Sequence, residues 1–362
     1  MSLRLVILGL SLSSSWGNGH ATTYRALIKG LAARGHSVLF LERDVAWYAQ
    51  HRDFTRVDYC DLRVYDTLAG LEAHRDAIRT ADAVILGSYV PDGVAVARLL
   101  RRWARRLAFY DIDTPITVDD LRRDQCAYLD ASAIPGFDLY LSFTGGPMLD
   151  VLVAEFGARR ACALYCAVDE ALHKPRARPL RYDLSYLGTY SADRQPVLDR
   201  LLLESARRAP HLRFAVAGPQ YPAGIDWPAN VARIDHIAPQ DHADFYASSA
   251  YTLNITRAAM RAAGYSPSVR LFEAAAAGAP LISDDWAGMR EVLEPGREII
   301  VASDAADVLA ALARPAHERR AIAKAARTRA LAQHTGAFRA AELEAMLTII
   351  QPDAKAATLS AA

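Results

Sequence analysis

The chain lacks most of what would mark it as secreted, membrane-spanning or nucleic-acid-binding. Its 362 residues hold four cysteines, Cys60, Cys126, Cys162 and Cys166, too few for a disulfide framework at this length. Cys162 and Cys166 lie in an apolar run, CALYC, which reads as a strand with buried thiols rather than a metal or redox pair. Long apolar runs are missing too: none reaches the ~18 residues that span a membrane. The opening MSLRLVILGLSLSSS has neither the charged start nor the cleavage site of a signal peptide. A cytoplasmic chain is expected, with peripheral contact to the inner face of a membrane left open. Nor does charge of one sign dominate. The 42 basic and 41 acidic residues leave a net charge of +1, without the field that would attract nucleic acid. Only four of the basic residues are lysines, a bias without functional content.

What is present is globular: 52% apolar and 23% charged residues, at a length that calls for two domains. LRLVILG is a continuous apolar strand, followed by a Gly- and Ser-rich loop, a helical run HATTYRALIKGLAARGH and a second strand, SVLFLER. That is the β-loop-α-β opening of a doubly wound parallel sheet. The pattern recurs at ADAVILG with a helix from Pro91 to about Arg105, at RRLAFYDID, and at FDLYLSF with a helix near Pro147. DEALHKPRARPLRYD then interrupts it without period, as an interdomain linker does. Winding restarts with DLSYLG, a helix from about Asp193, LRFAVAG, VARIDHI, a helix near 240–249 and YTLNIT, then PLISD, EIIVA and a helix over about 304–332. The expected division is 1–172, 173–332, a helix at 333–351 returning to the first domain, and a tail at 352–362. The fold class is α/β: two Rossmann-like parallel sheets whose carboxyl ends face a central cleft, where ligands of such folds bind.

The most informative segment is GYSPSVRLFEAAAAGAP, residues 264–280. Pro267 suits a first helical turn with Ser266 as N-cap and Gly278 at the end. The helix is apolar nearly all round, yet Ser266, Arg270 and Glu273 share one stripe. Buried charges need partners. In one reading Arg270 and Glu273 pair across i, i+3. In the other, which is preferred, Arg270 and the helix N-terminus hold a phosphate while Glu273 accepts from sugar hydroxyls, and Tyr265, Ser266 and Ser268 join them as donor-binding residues.

Other candidates sit at strand ends. Gly17, Asn18 and Gly19 can bring backbone N–H groups to an anion, but GNGHAT has no third glycine for a dinucleotide fingerprint. His20 can bind a sugar hydroxyl or act as a base, or simply cap the helix. Asp111 and Asp113 point to one side of a strand end, as an acceptor-side or catalytic pair or as loop-fixing groups, and are not expected to hold a metal. Gly145 and Gly146 form a close-approach loop. Arg194 and Arg257 lie where a diphosphate would, and Gly218 where its backbone can border a nucleobase. No Ser–His–Asp or Cys–His arrangement stands out.

RLFEAAAAGAPLISD resembles the EAxAxGxPxI segment of retaining, family-4-like GT-B glycosyltransferases. The longer run from YTLNIT to EIIVA, with DLSYLGTYSADRQPVLDRLL and SWGNGHATTYRALIKGLAARGH, is similar to CgeB-type glycosyltransferases. In the family-4 pattern two glutamates eight positions apart contact the donor. The later one maps onto Glu273, with a ribose role. The earlier position is Tyr265, a departure that leaves the sugar and the stereochemical outcome open. The resemblance implies an EC 2.4 enzyme that transfers a sugar from a UDP-type nucleotide diphosphosugar to an unidentified hydroxyl-bearing acceptor. It implies no cofactor, since the leaving diphosphate can serve as base on the same face. A sugar-nucleotide epimerase or hydrolase, and a non-catalytic nucleotide-sugar-binding protein, remain as rivals. Homodimerisation is compatible with the sequence and has no motif.

Overall fold

The structure is a computed structural model that describes residues 2–16, 19–54 and 58–349. It separates into two compact units, Met1–Ala167 with Gly336–Ala362, and Val168–Thr335.

The first unit is built on seven parallel strands: β1 (Arg4–Gly9), β2 (Ser37–Arg43), β3 (Asp61–Tyr65), β4 (Ala83–Gly87), β5 (Leu107–Asp111), β6 (Leu139–Ser142) and β7 (Ala161–Ala163), in the order β3-β2-β1-β4-β5-β6-β7. β1, β4, β5 and β6 are the apolar runs legible in the sequence, and they lie inside the sheet, covered on both faces. β3 is an addition to the sequence reading. It is an edge strand, DLRVY, exposed at Asp61, Arg63 and Val64, so it carries no apolar run to betray it. Chain order reverses between β1 and β4, which makes their carboxyl ends the switch point of this sheet.

Helix Gly19–Ala33 follows β1, and the closing helix Gly336–Ile349 packs on it. Two glycines permit the close crossing. A Cβ at Gly336 would run into the Ala26 carbonyl, and one at Gly30 into the backbone of Gly336. The helix expected from Pro91 starts at Gly93, with Asp92 as its N-cap.

The second unit repeats the winding with six parallel strands: β8 (Tyr182–Leu187), β9 (Phe214–Ala217), β10 (Val231–Ile234), β11 (Ser249–Asn254), β12 (Leu281–Ser283) and β13 (Ile300–Val301), in the order β10-β9-β8-β11-β12-β13. Its switch point lies between β8 and β11. The helix expected over 304–332 is two helices, Ala305–Leu312 and Ala316–Gln333, because Pro315 cannot continue the first and caps the second.

Candidate functional site

The switch point of the second sheet is occupied by Arg270. Its Nε donates to the carbonyl of Leu187, the last residue of β8, and its Nη1 donates to Asn254 Oδ1, at the end of β11, over 3.2 Å. The guanidinium also lies 4.8 Å from the centre of the Tyr186 ring. Ser268 Oγ donates to the same Asn254 Oδ1 over 2.7 Å. That bond explains a correction to the helix start. The helix runs Val269–Ala276 with Ser268, not Ser266, in the N-cap position, and the Ser268 hydroxyl is turned to the strand end instead of to a helix N–H. Ser266 is buried ahead of the helix, so the three-residue stripe reduces to Arg270 and Glu273.

Two more arginines join Arg270. Arg194 Nη2 donates to the Thr189 carbonyl over 2.7 Å, just beyond β8, while its Nε is buried without a hydrogen-bond partner. Burial, with the charges of Arg270 and Arg257 nearby, pulls the Arg194 guanidinium below its ordinary value. Arg257 Nε also lacks a hydrogen bond and lies 3.9 Å from Asp193 Oδ2. Among the described residues no carboxylate comes within salt-bridge distance of Arg194 or Arg270. Arg194 and Arg270, taken from water and touched by carbonyls, an amide oxygen and a ring, with Asp193 and Glu273 acting on them only from beyond contact, are costly to bury, by several kcal/mol each. Such a cluster suits an anion that brings its own charge.

Gly218 closes the approach from β9. Its φ of +140° and its distance from Gly188 leave no room for a Cβ, which would overlap the Gly188 carbonyl. Beyond it, Arg233 lies 4.2 Å from the Tyr221 ring centre and 4.8 Å from that of Trp227. Tyr265 is less free than its place in the motif suggests. Its φ is +49°, its amide donates to the Ala287 carbonyl over 2.6 Å, and its ring lies against Gly288.

Glu273 points away from Arg270's partners. Its Oε2 faces His242 Nδ1 at 3.3 Å and Tyr246 Oη at 3.4 Å, and its Oε1 faces His173 Nε2 at 3.7 Å. Burial would raise its pKa; His173, His242 and Arg270 outweigh that and hold it down at about 2. Burial keeps the His173 imidazole below its ordinary value. Arg270 and Glu273 are not an i, i+3 ion pair. A ribose hydroxyl would have to displace one of the present partners of Glu273. His173, His242, Tyr246, Asn254 and Tyr186 were not singled out by the sequence. Asn254 alone left a signal, as a polar residue closing an apolar strand.

In the first unit the candidates separate by depth. Asp111 is fully buried and accepts from Tyr140 Oη at 2.6 Å and Thr117 Oγ1 at 2.7 Å. Burial raises its pKa to about 6, against the pull of those two hydrogen bonds, and the charge of Asp113 adds to the rise. It does not form a surface pair with Asp113, because it is packed beneath the strand ends. Its Oδ1 receives the Asp113 amide over 3.3 Å, so it fixes the loop. Asp113 is partly exposed, accepts from Tyr89 Oη over 3.1 Å and lies 3.9 Å from His20 Nε2. His20 stands in the first turn of helix Gly19–Ala33, its ring edge-on to Tyr89 with centres 5.4 Å apart. Gly17 and Asn18 lie outside the described residues, and Gly19 opens the helix. Gly145 is buried against Tyr165, and Gly146, at φ +56°, is the N-cap of helix Pro147–Ala154. A further group escaped the sequence reading: buried Glu42, at the end of β2, accepts from the amides of Leu12 and Ser13 and the hydroxyls of Ser11 and Ser13 over 2.6–3.1 Å. It fixes the serine-rich loop after β1.

Two parallel-sheet α/β domains wound in this way define the GT-B fold, and solved structures of that fold match almost the whole chain. Among them are an α-glucosyltransferase in complex with UDP (TM-score 0.72, 12% identity, 96% of this chain and 100% of that one) and a sucrose-phosphate synthase from Thermosynechococcus elongatus (0.70, 13%, 96% and 100%). The Anabaena protein HepE in complex with UDP and glucose is another (0.68, 13%, 96% and 99%). Residues 194–345 match a family model described as glycosyl transferase-like; the match begins at Arg194 and includes Arg257, Arg270 and Glu273. No curated protein matches the sequence.

Proposed function

We propose that the protein is a glycosyltransferase of the CgeB-like kind. It moves a sugar, a hexose in the first instance, from a UDP-type nucleotide diphosphosugar to a hydroxyl-bearing acceptor, with retention at the sugar carbon. The observation that carries this reading is the cluster of Arg194, Arg257 and Arg270 at the second switch point, which lacks sufficient negative charge of its own. A diphosphate supplies that charge in the form guanidinium groups recognise best. The helix N-terminus at Ser268 and Val269 adds its partial positive charge at the same strand ends. The backbone at Gly188 and Gly218, with Arg233 stacked on Tyr221 and Trp227, offers a flat wall to the base. The GT-B neighbours solved with UDP or UDP-glucose support the choice of nucleotide.

On the other unit, His20 binds the acceptor hydroxyl and Asp113 orients the imidazole. Transfer itself draws on no metal: the arginines neutralise the leaving diphosphate, and its oxygen takes the acceptor proton on the same face. An α-glucosyltransferase neighbour was solved with DNA. The near-zero net charge of this chain instead favours an acceptor other than nucleic acid, in a cytoplasmic setting. A second reading, a protein that binds a nucleotide sugar without turning it over, draws support from Tyr265, an anchored aromatic where the family-4 pattern has an acid.

The test is a panel of UDP, GDP, dTDP, ADP and CDP sugars. Thermal unfolding is measured with each, followed by mass spectrometry of the nucleotide products with and without candidate acceptors. Ligand at ~100 times its Kd stabilises by about 2.7 kcal/mol. A shift with one nucleotide sugar, abolished in Arg270→Ala, supports the donor site. Release of the nucleotide only with acceptor supports transfer, and a shift without turnover favours the second reading. No shift with any member sinks both.

A further inference from the structure

His173, His242 and Glu273 come to one point from three places in the second unit. His173 follows a turn begun at Asp169, His242 opens helix His242–Ala247, and Glu273 lies within helix Val269–Ala276. One ligand atom from each residue lies within 4.8 Å of the other two. His173 Nδ1 is 3.3 Å from the Asp169 carbonyl, and His242 Nε2 is 3.3 Å from the Ile237 carbonyl. A carbonyl oxygen only accepts, so each of these contacts takes an N–H and fixes its ring. In a neutral imidazole the opposite nitrogen is then a lone pair. Both such nitrogens face the same carboxylate, at 3.7 Å for His173 and 3.3 Å for His242. His173 Nε2 is buried and has no hydrogen-bond partner. With the imidazoles neutral, electron-rich atoms converge in the interior with one long contact from Tyr246 Oη, at 3.4 Å, as the hydroxyl donor; protonated imidazoles instead pair with the carboxylate and hold its pKa down.

We propose that these three residues form a zinc(II) site. With bonds of roughly 2.0–2.2 Å, a tetrahedral ion holds its ligand atoms about 3.3 Å apart. His242 Nδ1 stands 3.3 Å from Glu273 Oε2 and His173 Nε2 3.7 Å from Oε1, and with one ligand atom per residue the three lie within 4.8 Å of one another, so a modest contraction brings them to that spacing. The N–H groups turned to backbone carbonyls are the outer contacts that orient zinc-bound histidines. Two imidazoles and one carboxylate suit zinc, whereas magnesium and calcium take oxygen ligands. Arg270 opposes a cation here, since its charge already acts on Glu273. Its guanidinium is engaged with Leu187 and Asn254. The ion ties the segment that leads into β8 to two helices of its own unit, and three protein ligands leave one position for water. This role is structural and does not depend on the transferase reading.

The experiment uses the full chain, stripped with a chelator and titrated with Zn²⁺ alone against a chromophoric competitor, then with Co²⁺ as a spectroscopic probe. One saturable equivalent of zinc is expected, with a rise in the unfolding temperature and the intense visible bands of tetrahedral cobalt. His242→Ala and Glu273→Gln should each weaken zinc binding at least ~100-fold, beyond the ~10–100-fold effect of an outer contact. Exposed His317→Ala should leave it unchanged. Absence of saturable binding, or zinc binding that survives both variants, overturns the site and leaves a proton-bridged ion-pair cluster. Preference for Mg²⁺ or Mn²⁺ over Zn²⁺ overturns the metal assigned. Where a variant does not fold, the cobalt spectrum of the unaltered chain decides: weak octahedral bands also overturn the proposal.

Discussion

At the end of β1 the first sheet gathers carboxylates: Glu42 under the serine loop, Asp111 beneath the strand ends, and Asp113 beside His20. At the end of β8 the second sheet gathers guanidinium groups, Arg270 across the strand ends and Arg194 beside them. The two sheets wind in the same order through their first six strands. Topology therefore makes the crevice twice, and the side chains give the two crevices opposite character. The carboxylates of the first crevice are largely satisfied by hydroxyls and amides. Arg270 and Arg194 of the second have no carboxylate within salt-bridge distance among the described residues. That asymmetry is the reason to assign an anionic donor to the second unit and a hydroxyl acceptor to the first.

The strongest attack on this contrast is Arg270→Ala. Donor affinity should fall at least ~100-fold, about 2.7 kcal/mol, in a calorimetric titration, and Arg270→Lys should not restore it, because a point charge cannot span Leu187 and Asn254. The ligand-free variant should lose little stability, since no carboxylate lies within salt-bridge distance of the charge removed and Glu273 keeps His173 and His242. A stability loss above ~2 kcal/mol in denaturant unfolding would make the arginine a strut between strands.

His20→Ala probes the other crevice. Turnover should drop by roughly 100-fold, the cost of misplacing a reacting group, with donor affinity unchanged in the same titration. A parallel loss of donor binding would erase the division of labour between the units.

Asp111 sharpens the contrast through pH. Its folded pKa of about 6 lies above the unfolded carboxylate value. Its contribution to stability is therefore fully present below about pH 4 and is lost as pH rises through about 6. Relative to Asp111→Asn, the wild type should lose stability between pH 4 and pH 7, by up to ~3 kcal/mol, measured by denaturant unfolding at each pH. A flat difference would mean that Tyr140 and Thr117 cancel the burial penalty.

The smallest effect concerns closure of the first unit. Gly336→Ala should destabilise it by ~1–3 kcal/mol through overpacking against Ala26, read in thermal unfolding, while donor binding stays unchanged. An unaltered melting temperature would show that the crossing of the two helices can relax.

Much of the fold was legible because buried parallel strands write themselves as apolar runs: LRLVILG, ADAVILG and YTLNIT each became an interior strand. β3 was not legible, because an exposed edge strand needs no such run. For the site, the amphipathic contradiction of Arg270 and Glu273 on an apolar helix was visible in the sequence, but their partners were not. Arg270 answers to Leu187 and Asn254, and Glu273 to His173, His242 and Tyr246. None of these lies within one helical turn of its partner, so no periodicity could have joined them. Asp111 and Asp113 looked equivalent as alternate residues of one strand. The strand ends at Asp111, and the turn that follows gives the two carboxylates different depths.

By itself, the sequence determined two parallel wound sheets and the helix that brings two charges among apolar neighbours, because local patterning and burial obey short-range rules. Only the tertiary structure decided which strand ends that arginine bridges, which histidines meet the glutamate and which aspartate stays near the surface. Those are contacts between segments far apart in the chain, and their geometry exists only once the sheets have closed over their cores.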